Sequence, residues 1–160
     1  MHTGQMLLVL GALVIFSMLA LSMNSSILTS TETSIETESI RTATDVAQSM
    51  TSEITSKEFD LAVTNGTLDD IMDLTAPYSL GPAWNESYPN YNDVDDFDDF
   101  SKTVTTPRLG DFTINVEVKY VPRNNPDQVV YYRTKMKRIK VVVNGPSLEN
   151  PVTVYSWKCY

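Results

Sequence analysis

Catalytic and cross-linking side chains are scarce in this sequence. Its 160 residues include one cysteine, Cys159, and one histidine, His2. A single cysteine cannot form an internal disulfide, and a histidine near the N-terminus argues against a Ser/His or Cys/His catalytic pair. No two carboxylates can be assigned to opposite sides of a cleft, as glycoside hydrolysis would require. The sequence therefore predicts a protein that is not an enzyme.

Basic residues are also few. The chain has 12 Lys and Arg against 20 Asp and Glu, which gives a net charge of -8. Binding to a phosphate backbone depends on clustered Lys and Arg, so nucleic acid is not expected as a partner. An acidic balance suits a solvated exterior domain. The length leaves room for one modest domain beside an N-terminal apolar stretch.

Charge is absent from the stretch Met6–Met23, which has 18 residues, two of them serine and one glycine. As a helix this stretch would be about 27 Å long, enough to cross the hydrocarbon core of a membrane. Because it is apolar on all sides, it differs from the amphipathic helices of soluble cores. We predict a transmembrane segment over 6–23. A cleaved signal peptide is the alternative, but the residues before Met6 include no Lys or Arg.

Glycine and proline are absent from Asn24–Val63. Within this range a narrow apolar stripe follows helical steps of three and four residues: Ile40, Ala43, Ala47, Met50 and Ile54. The absence of helix breakers predicts one long helix over 5–63, which Asn65 and Gly66 would end. A flexible Ser/Thr-rich stalk is the alternative, although such stalks usually contain proline or glycine.

The region Thr67–Pro107 contains four prolines, and we expect it to form an ordered loop after a short helix over Leu68–Leu74. From Asp111 the pattern alternates with period two. A half-buried strand is predicted with one face formed by Phe112, Ile114, Val116, Val118 and Tyr120.

Two more strands are predicted toward the C-terminus. The first runs over Val129–Val143, where the inward set changes phase and a bulge near Lys137 and Arg138 would explain the change. The second runs over Val152–Tyr160, and Cys159 should be buried there as a small apolar residue.

The predicted fold class is therefore α+β: a long N-terminal helix, transmembrane in its first half, packs on a C-terminal antiparallel sheet of three or four strands. The predicted organisation is a short leader over 1–4, the helix over 5–63, and a loop region with the β domain over 64–160.

An acidic loop carries the most suggestive chemistry. Five carboxylates fall within seven residues: Asp93, Asp95, Asp96, Asp98 and Asp99. Such crowding is repulsive unless a cation or basic groups offset it, and hard oxygen ligands in a loop suit calcium. The spacing is not that of an EF-hand, because Val104 occupies the twelfth position from Asp93. Two alternatives remain: a solvated loop, or one that faces basic residues of the second strand, namely Arg133, Lys135, Lys137, Arg138 and Lys140. No other cofactor is predicted.

The order of these segments resembles the type IV pilin and pseudopilin family. The resemblance covers the whole chain: a short polar leader ending in Gly4, an apolar helix, an amphipathic continuation, a loop region and an antiparallel sheet. It implies that a prepilin peptidase cuts after Gly4, so that Gln5 becomes the first mature residue. Some pseudopilins also hold calcium in their loops. The family usually has a basic leader and Glu as its fifth mature residue, whereas this leader has no Lys or Arg and Val9 occupies that position.

The resemblance implies a structural subunit, minor or atypical, of a type IV pilus-like or pseudopilus filament. Its partners would be the membrane and other pilin-like subunits, which it would contact through the N-terminal helix. The protein would be membrane-anchored with an extracytoplasmic domain, at the cell surface or in a periplasmic filament. The alternative function is a stand-alone, single-span, membrane-anchored binding module.

Overall fold

The computed structural model describes residues 3–160 and confirms the α+β class. In chain order, its regular elements are helices α1 (Thr3–Ser56) and α2 (Leu61–Thr64), two 3-10 turns (Ile71–Asp73 and Asp95–Phe97), and strands β1 (Ser101–Thr106), β2 (Gly110–Tyr120), β3 (Met136–Asn144) and β4 (Val152–Cys159). The chain forms two compact units. The first ends at Glu38, within α1, and the second comprises Ser39–Tyr160.

The four strands form one antiparallel sheet in the order β1-β2-β3-β4. All five apolar residues of the predicted β2 face are buried, as the alternation predicted. Val116 pairs with Val141 and Val118 with Ile139 across the two central strands. Consecutive strands are therefore neighbours, and the inner faces of β2 and β3 supply one side of the core.

The last four turns of α1 supply the other side of that core. Ala43, Ala47, Met50 and Ile54 are buried in the same cluster as the inner residues of β2 and β3, which confirms the packing of the helix stripe on the sheet. Ile40 was assigned to this stripe, but its side chain is 45% exposed and Ser39 is buried instead. The buried face of the helix therefore continues from Ala43 to Ser39, and its apolar part begins at Ala43.

The predicted end of the long helix is wrong. α1 ends at Ser56, and the chain begins a separate four-residue helix at Leu61. Asp60 caps this helix by accepting a hydrogen bond from the Ala62 amide at 3.2 Å. Asn65 and Gly66 follow α2, and Gly66 adopts a φ of 65° that favours glycine. The predicted helix stop is thus present, but it ends the second helix.

Two details of the region directly after α2 also differ from prediction. Strand β1 lies inside the predicted loop region; its Ser, Lys and Thr residues give little hydrophobic alternation, and its pairing with β2 defines it. The predicted helix over Leu68–Leu74 is reduced to the 3-10 turn Ile71–Asp73, which Asp70 caps.

No change of phase occurs within β3, so the predicted bulge is wrong. The strand begins at Met136, and Lys137 lies on the same buried face as Ile139, Val141 and Val143. The hydroxyl oxygen of Thr134, before the strand, lies 2.8 Å from both Val121 O and Met136 O and can donate to either. The residues before Met136 therefore belong to a loop, and their apolar pattern does not continue the strand.

Cys159 is exposed, which corrects its predicted burial. It shares a face of β4 with Tyr155 and Trp157, and this is the outer face of an edge strand. Trp157 donates from its indole Nε1 to Pro126 O at 3.1 Å. The last strand therefore turns Val152 and Val154, and not its cysteine, toward the core.

Candidate functional site

The first candidate site is the N-terminal part of α1. Among residues 3–160, α1 is one helix long and apolar enough to cross a membrane: its most apolar 18-residue window has a mean hydropathy of 2.5 and no buried residue. Large apolar side chains are exposed around it, for example Leu8 at 76%, Phe16 at 70% and Leu21 at 71%. The chain therefore has one candidate membrane-spanning helix near its N-terminus, which is compatible with membrane anchoring.

The predicted processing residues lie at the start of this helix. Gly4 and Gln5 are both helical and exposed, and a Cβ added at Gly4 would meet nothing within 4 Å. The predicted leader covers residues 1–4. Its first two residues, Met1 and His2, lie outside the described residues. Cleavage after Gly4 stays a prediction.

Hydroxyl groups along this helix bond to its own backbone. Ser17 donates to Leu13 O at 2.8 Å, and Thr29, Thr33 and Thr37 each donate to the carbonyl four residues earlier. A hydroxyl satisfied in this way can lie in an apolar environment without the cost of an unmade hydrogen bond. The Thr-rich part of the helix is therefore less polar at its surface than its sequence indicates.

The second candidate site is the acidic loop. Four of its five carboxylates, those of Asp93, Asp95, Asp96 and Asp98, are buried, and only Asp99 is exposed. Aromatic rings hold the loop in place: Phe97 contacts Tyr91 at a centroid distance of 4.9 Å, and Phe100 contacts Tyr88 at 5.0 Å. The loop is also hydrogen-bonded to the segment that follows α1: Val94 N donates to Glu58 O at 3.0 Å.

Three of these aspartates accept hydrogen bonds from groups within the loop or on β2. Asp93 Oδ1 accepts from the Asp95 amide at 2.8 Å, and Asp96 Oδ2 accepts from the Asn92 amide at 2.9 Å. Asp98 accepts from the Val118 amide at 2.8 Å and pairs with Lys119 at 2.7 Å.

The structure does not bring the five predicted calcium ligands together. Within residues 3–160, no group of three or more His, Cys, Asp or Glu side chains is placed to hold a metal ion. Basic side chains from the sheet approach the loop instead, Lys119 from β2 and Lys137 from β3. This arrangement favours the alternative in which basic residues offset the repulsion, although Lys119 was not among the residues named for it.

Lys137 lies at the centre of a buried, charged cluster. Its Nζ is 2.8 Å from Asp60 Oδ2 and 2.6 Å from Asp95 Oδ1, and all three side chains are at most 3% exposed. Nζ also donates to Phe59 O at 2.8 Å and lies 4.2 Å from the centre of the Phe59 ring. The ring of Tyr120 covers a further side, at 5.0 Å.

The two aspartates of the cluster have different surroundings. Asp60 accepts hydrogen bonds from the Thr75 amide and hydroxyl and from Tyr120 Oη, in addition to Lys137. Neither oxygen of Asp95 accepts an aligned hydrogen bond from any residue over 3–160, despite the short ion-pair contact. Asp95 is thus a buried carboxyl group that contacts the Lys137 amine closely but accepts no aligned hydrogen bond.

These surroundings shift the two pKa values in opposite directions. Burial alone would raise the pKa of Asp60, but attraction to Lys137 and the hydrogen bonds from Lys137, Thr75 and Ala62 outweigh it and lower that pKa. Burial raises the pKa of Asp95 to about 8 against the attraction of Lys137. Burial and the nearby Asp96 raise the pKa of Asp93 to about 6. The favoured state near neutral pH is an ionised Asp60 beside a protonated Asp95.

Neither the role of Asp60 nor the burial of Lys137 between two aspartates was predicted from the sequence. The available signal for Lys137 was its spacing of two from Ile139, Val141 and Val143, which places a charge on a buried face. Asp60 carried no comparable signal, because it lies 35 residues before Asp95 and its role depends on the tertiary fold.

Comparison with known proteins identifies no family for this chain. No family model matches the chain, and no curated protein or solved structure matches it. The fold and the candidate sites define an α+β protein with one candidate membrane-spanning helix. Its resemblance to type IV pilins rests on its own residues alone.

Proposed function

We propose that this protein is a structural subunit of a type IV pilus-like or pseudopilus filament, held in the membrane through the N-terminal part of α1 before assembly. The observation that supports the proposal is the exposure of this helix on all sides, with no part of its most apolar window buried. Such a surface needs lipid or other apolar helices around it. The acidic unit Ser39–Tyr160 would then lie outside the cytoplasm.

The length of the exposed helix favours assembly over simple anchoring. About 20 residues suffice to cross a bilayer. Beyond Met23 the helix continues with exposed apolar side chains, among them Ile27 at 61%, Leu28 at 58% and Ile35 at 41%. A lone anchor has no need of this continuation, whereas neighbouring subunits would cover it.

Disulfide cross-linking between subunits tests this proposal. Cys159 is the one cysteine of the sequence, so a Cys159→Ser background allows a new cysteine to report on one position. Leu13→Cys in this background places a thiol on the apolar surface, where the native side chain is 57% exposed. We expect mild oxidation of native membranes and shed filaments to yield covalent dimers on a non-reducing gel.

Trp84→Cys in the same background is the matched control, because Trp84 is 98% exposed on the other compact unit. It should yield fewer dimers than Leu13→Cys. Equal yields from the two positions, or monomers only from Leu13→Cys, would refute assembly through the helix. Mass spectrometry of the native N-terminus tests the processing prediction separately, because cleavage after Gly4 leaves Gln5 as the first residue.

A surface cavity supports the second candidate function, a stand-alone membrane-anchored binding module. It has a volume of about 540 Å³, and its lining includes Tyr132, Arg133, Lys135 and Tyr160. This volume lies in the range of small-molecule sites. Monomers in the cross-linking experiment, together with a ligand-induced rise in melting temperature that Lys135→Ala abolishes, would favour this function.

A further inference from the structure

The cluster around Lys137 joins a nucleophile, an electrophile and a base inside the protein. The nucleophile is the Lys137 amine, and Asp95 Oδ1 lies 2.6 Å from its Nζ. The carboxyl carbon of Asp95 is at most one bond length further from Nζ, close to the separation of about 3–3.5 Å at which reacting atoms are placed for attack. We propose that Lys137 and Asp95 condense to an intramolecular amide, an isopeptide bond, with Asp60 as the base.

The proposed reaction balances without any co-reactant. Asp60 Oδ2, at 2.8 Å from Nζ, takes one proton from the Lys137 ammonium group. The free amine then attacks the carboxyl carbon of protonated Asp95, and a carbon–nitrogen bond forms. The carboxyl hydroxyl leaves with a second amine proton as one water molecule. The products are a neutral amide, a protonated Asp60 and water, so no oxidation or reduction occurs.

Burial favours this product over the ion pair. Buried charges are costly, and Asp95 has no aligned hydrogen bond that would stabilise its ionised form beside Lys137. Condensation removes the charges of Lys137 and Asp60, because the amide, the protonated Asp60 and the water are all neutral. Because Lys137 is fully buried and is covered by the rings of Phe59 and Tyr120, water has little access to reverse the reaction by hydrolysis.

The surroundings also assign the electrophile and the base. A protonated carboxyl group is a better electrophile than a carboxylate, and burial favours protonation of Asp95. Asp60 is held by Thr75 and Tyr120 with its Oδ2 at 2.8 Å from Nζ, which places it to accept the amine proton. The amide therefore forms with Asp95.

The ion pair between Lys119 and Asp98 is an internal contrast. Its distance of 2.7 Å is similar, but the Lys119 side chain is 30% exposed and Asp98 accepts a hydrogen bond from the Val118 amide. A hydrated amine with a satisfied carboxylate partner should stay an ion pair. Short distance alone does not select the reactive pair.

Intact-mass measurement of the folded, full-length protein in detergent tests the inference. We expect the native protein to be lighter than its sequence by one water molecule. Fragmentation of proteolytic peptides should find the segment with Asp95 joined to the segment with Lys137. A folded native protein at its full sequence mass would overturn the inference, and so would a link between Lys137 and Asp60.

Variants separate the chemistry from a loss of folding. Lys137→Arg keeps the positive charge but cannot form this amide, and it should regain the missing water mass. Lys119→Arg is the matched control and should remain lighter by one water, as should Asp98→Asn. Asp60→Asn removes the base and should yield mostly unlinked protein. Circular dichroism establishes that each compared variant is folded, and a folded Lys137→Arg that still lacks the water mass would contradict the assignment.

Discussion

The buried carboxyl group of Asp93 should make the stability of the protein depend on pH, which allows a test of the structure of the acidic loop. Its pKa is raised from 3.8 to about 6, first by burial and then by repulsion from Asp96. The folded state therefore binds this proton more tightly than the unfolded state does. Between about pH 4 and pH 6 the folded protein keeps a proton that the unfolded chain has lost, so rising pH lowers the free energy of unfolding.

The magnitude follows from the size of the shift. A rise of about two pKa units corresponds to about 3 kcal/mol of stability that is present at acid pH and lost once Asp93 ionises in both states. Asp93→Asn removes the titrating group but keeps a side-chain oxygen. In the native protein, Asp93 Oδ1 accepts a hydrogen bond from the Asp95 amide at 2.8 Å, and the asparagine oxygen can accept the same bond. We expect the stability of the variant relative to the native protein to rise by about 2–3 kcal/mol between about pH 3.5 and pH 7.

Urea unfolding of the full-length protein in a non-ionic detergent, followed by circular dichroism across this pH range, measures the difference. If the free energies of unfolding of the native protein and Asp93→Asn differ by the same amount at every pH, the difference comes from the asparagine side chain and not from the titration of Asp93. Asp99→Asn is the matched control, because it removes an exposed carboxylate from the same loop. Parallel curves for the native protein and Asp93→Asn, or a difference that falls with rising pH, would refute the reasoning.

Three further changes test the core and the apolar helix. Ile54→Ala should cost about 2–5 kcal/mol in urea unfolding because it empties a fully buried position, whereas Ile40→Ala, at a 45% exposed position, should cost at most about 0.5 kcal/mol; equal losses would contradict the observed helix face. Gly145→Ala places a Cβ 2.6 Å from the ring of buried Phe112 and should lower stability by about 1–3 kcal/mol in the same assay, so an unchanged midpoint would count against this packing. Leu13→Arg places a charge in the apolar segment, at a cost of about 2.5–3.5 kcal/mol for insertion, and should increase the fraction that alkaline carbonate extracts from membranes; unchanged retention would argue against a membrane span.

Elements with strong hydrophobic periodicity could be predicted from the sequence. The buried face of β2 follows strict alternation from Phe112 to Tyr120, and the stripe from Ala43 to Ile54 places four residues of α1 on the sheet. Strand β1 could not be predicted, because Val104 is its one large apolar residue and its strand conformation depends on pairing with β2. The end of α1 was missed because Asp60, and not a glycine or proline, caps the next helix.

The acidic loop could be recognised from the sequence, but the groups that offset its negative charge could not. Crowded carboxylates indicate that something must offset their charge, but they do not distinguish calcium from lysine. The partner that reaches Asp95 is Lys137, 42 positions later in the chain, and the second carboxylate of the cluster is Asp60 at the end of the helical region. Their meeting depends on the sheet register and on the packing of α1, which local sequence does not determine.

Lys137 also shows how a conflict with a local rule can indicate a site. A charged residue in phase with Ile139 and Val141 can be explained by a bulge, which turns the lysine outward, or by a buried counter-charge, which keeps the strand regular. The regular β3 and the two aspartates at Nζ support the second explanation. As an ion pair or as an amide, this contact joins the acidic loop to the sheet and to the residues after α1. The loop therefore has a structural role within Ser39–Tyr160, and the proposed contacts with other subunits would lie on the exposed apolar surface before Ser39.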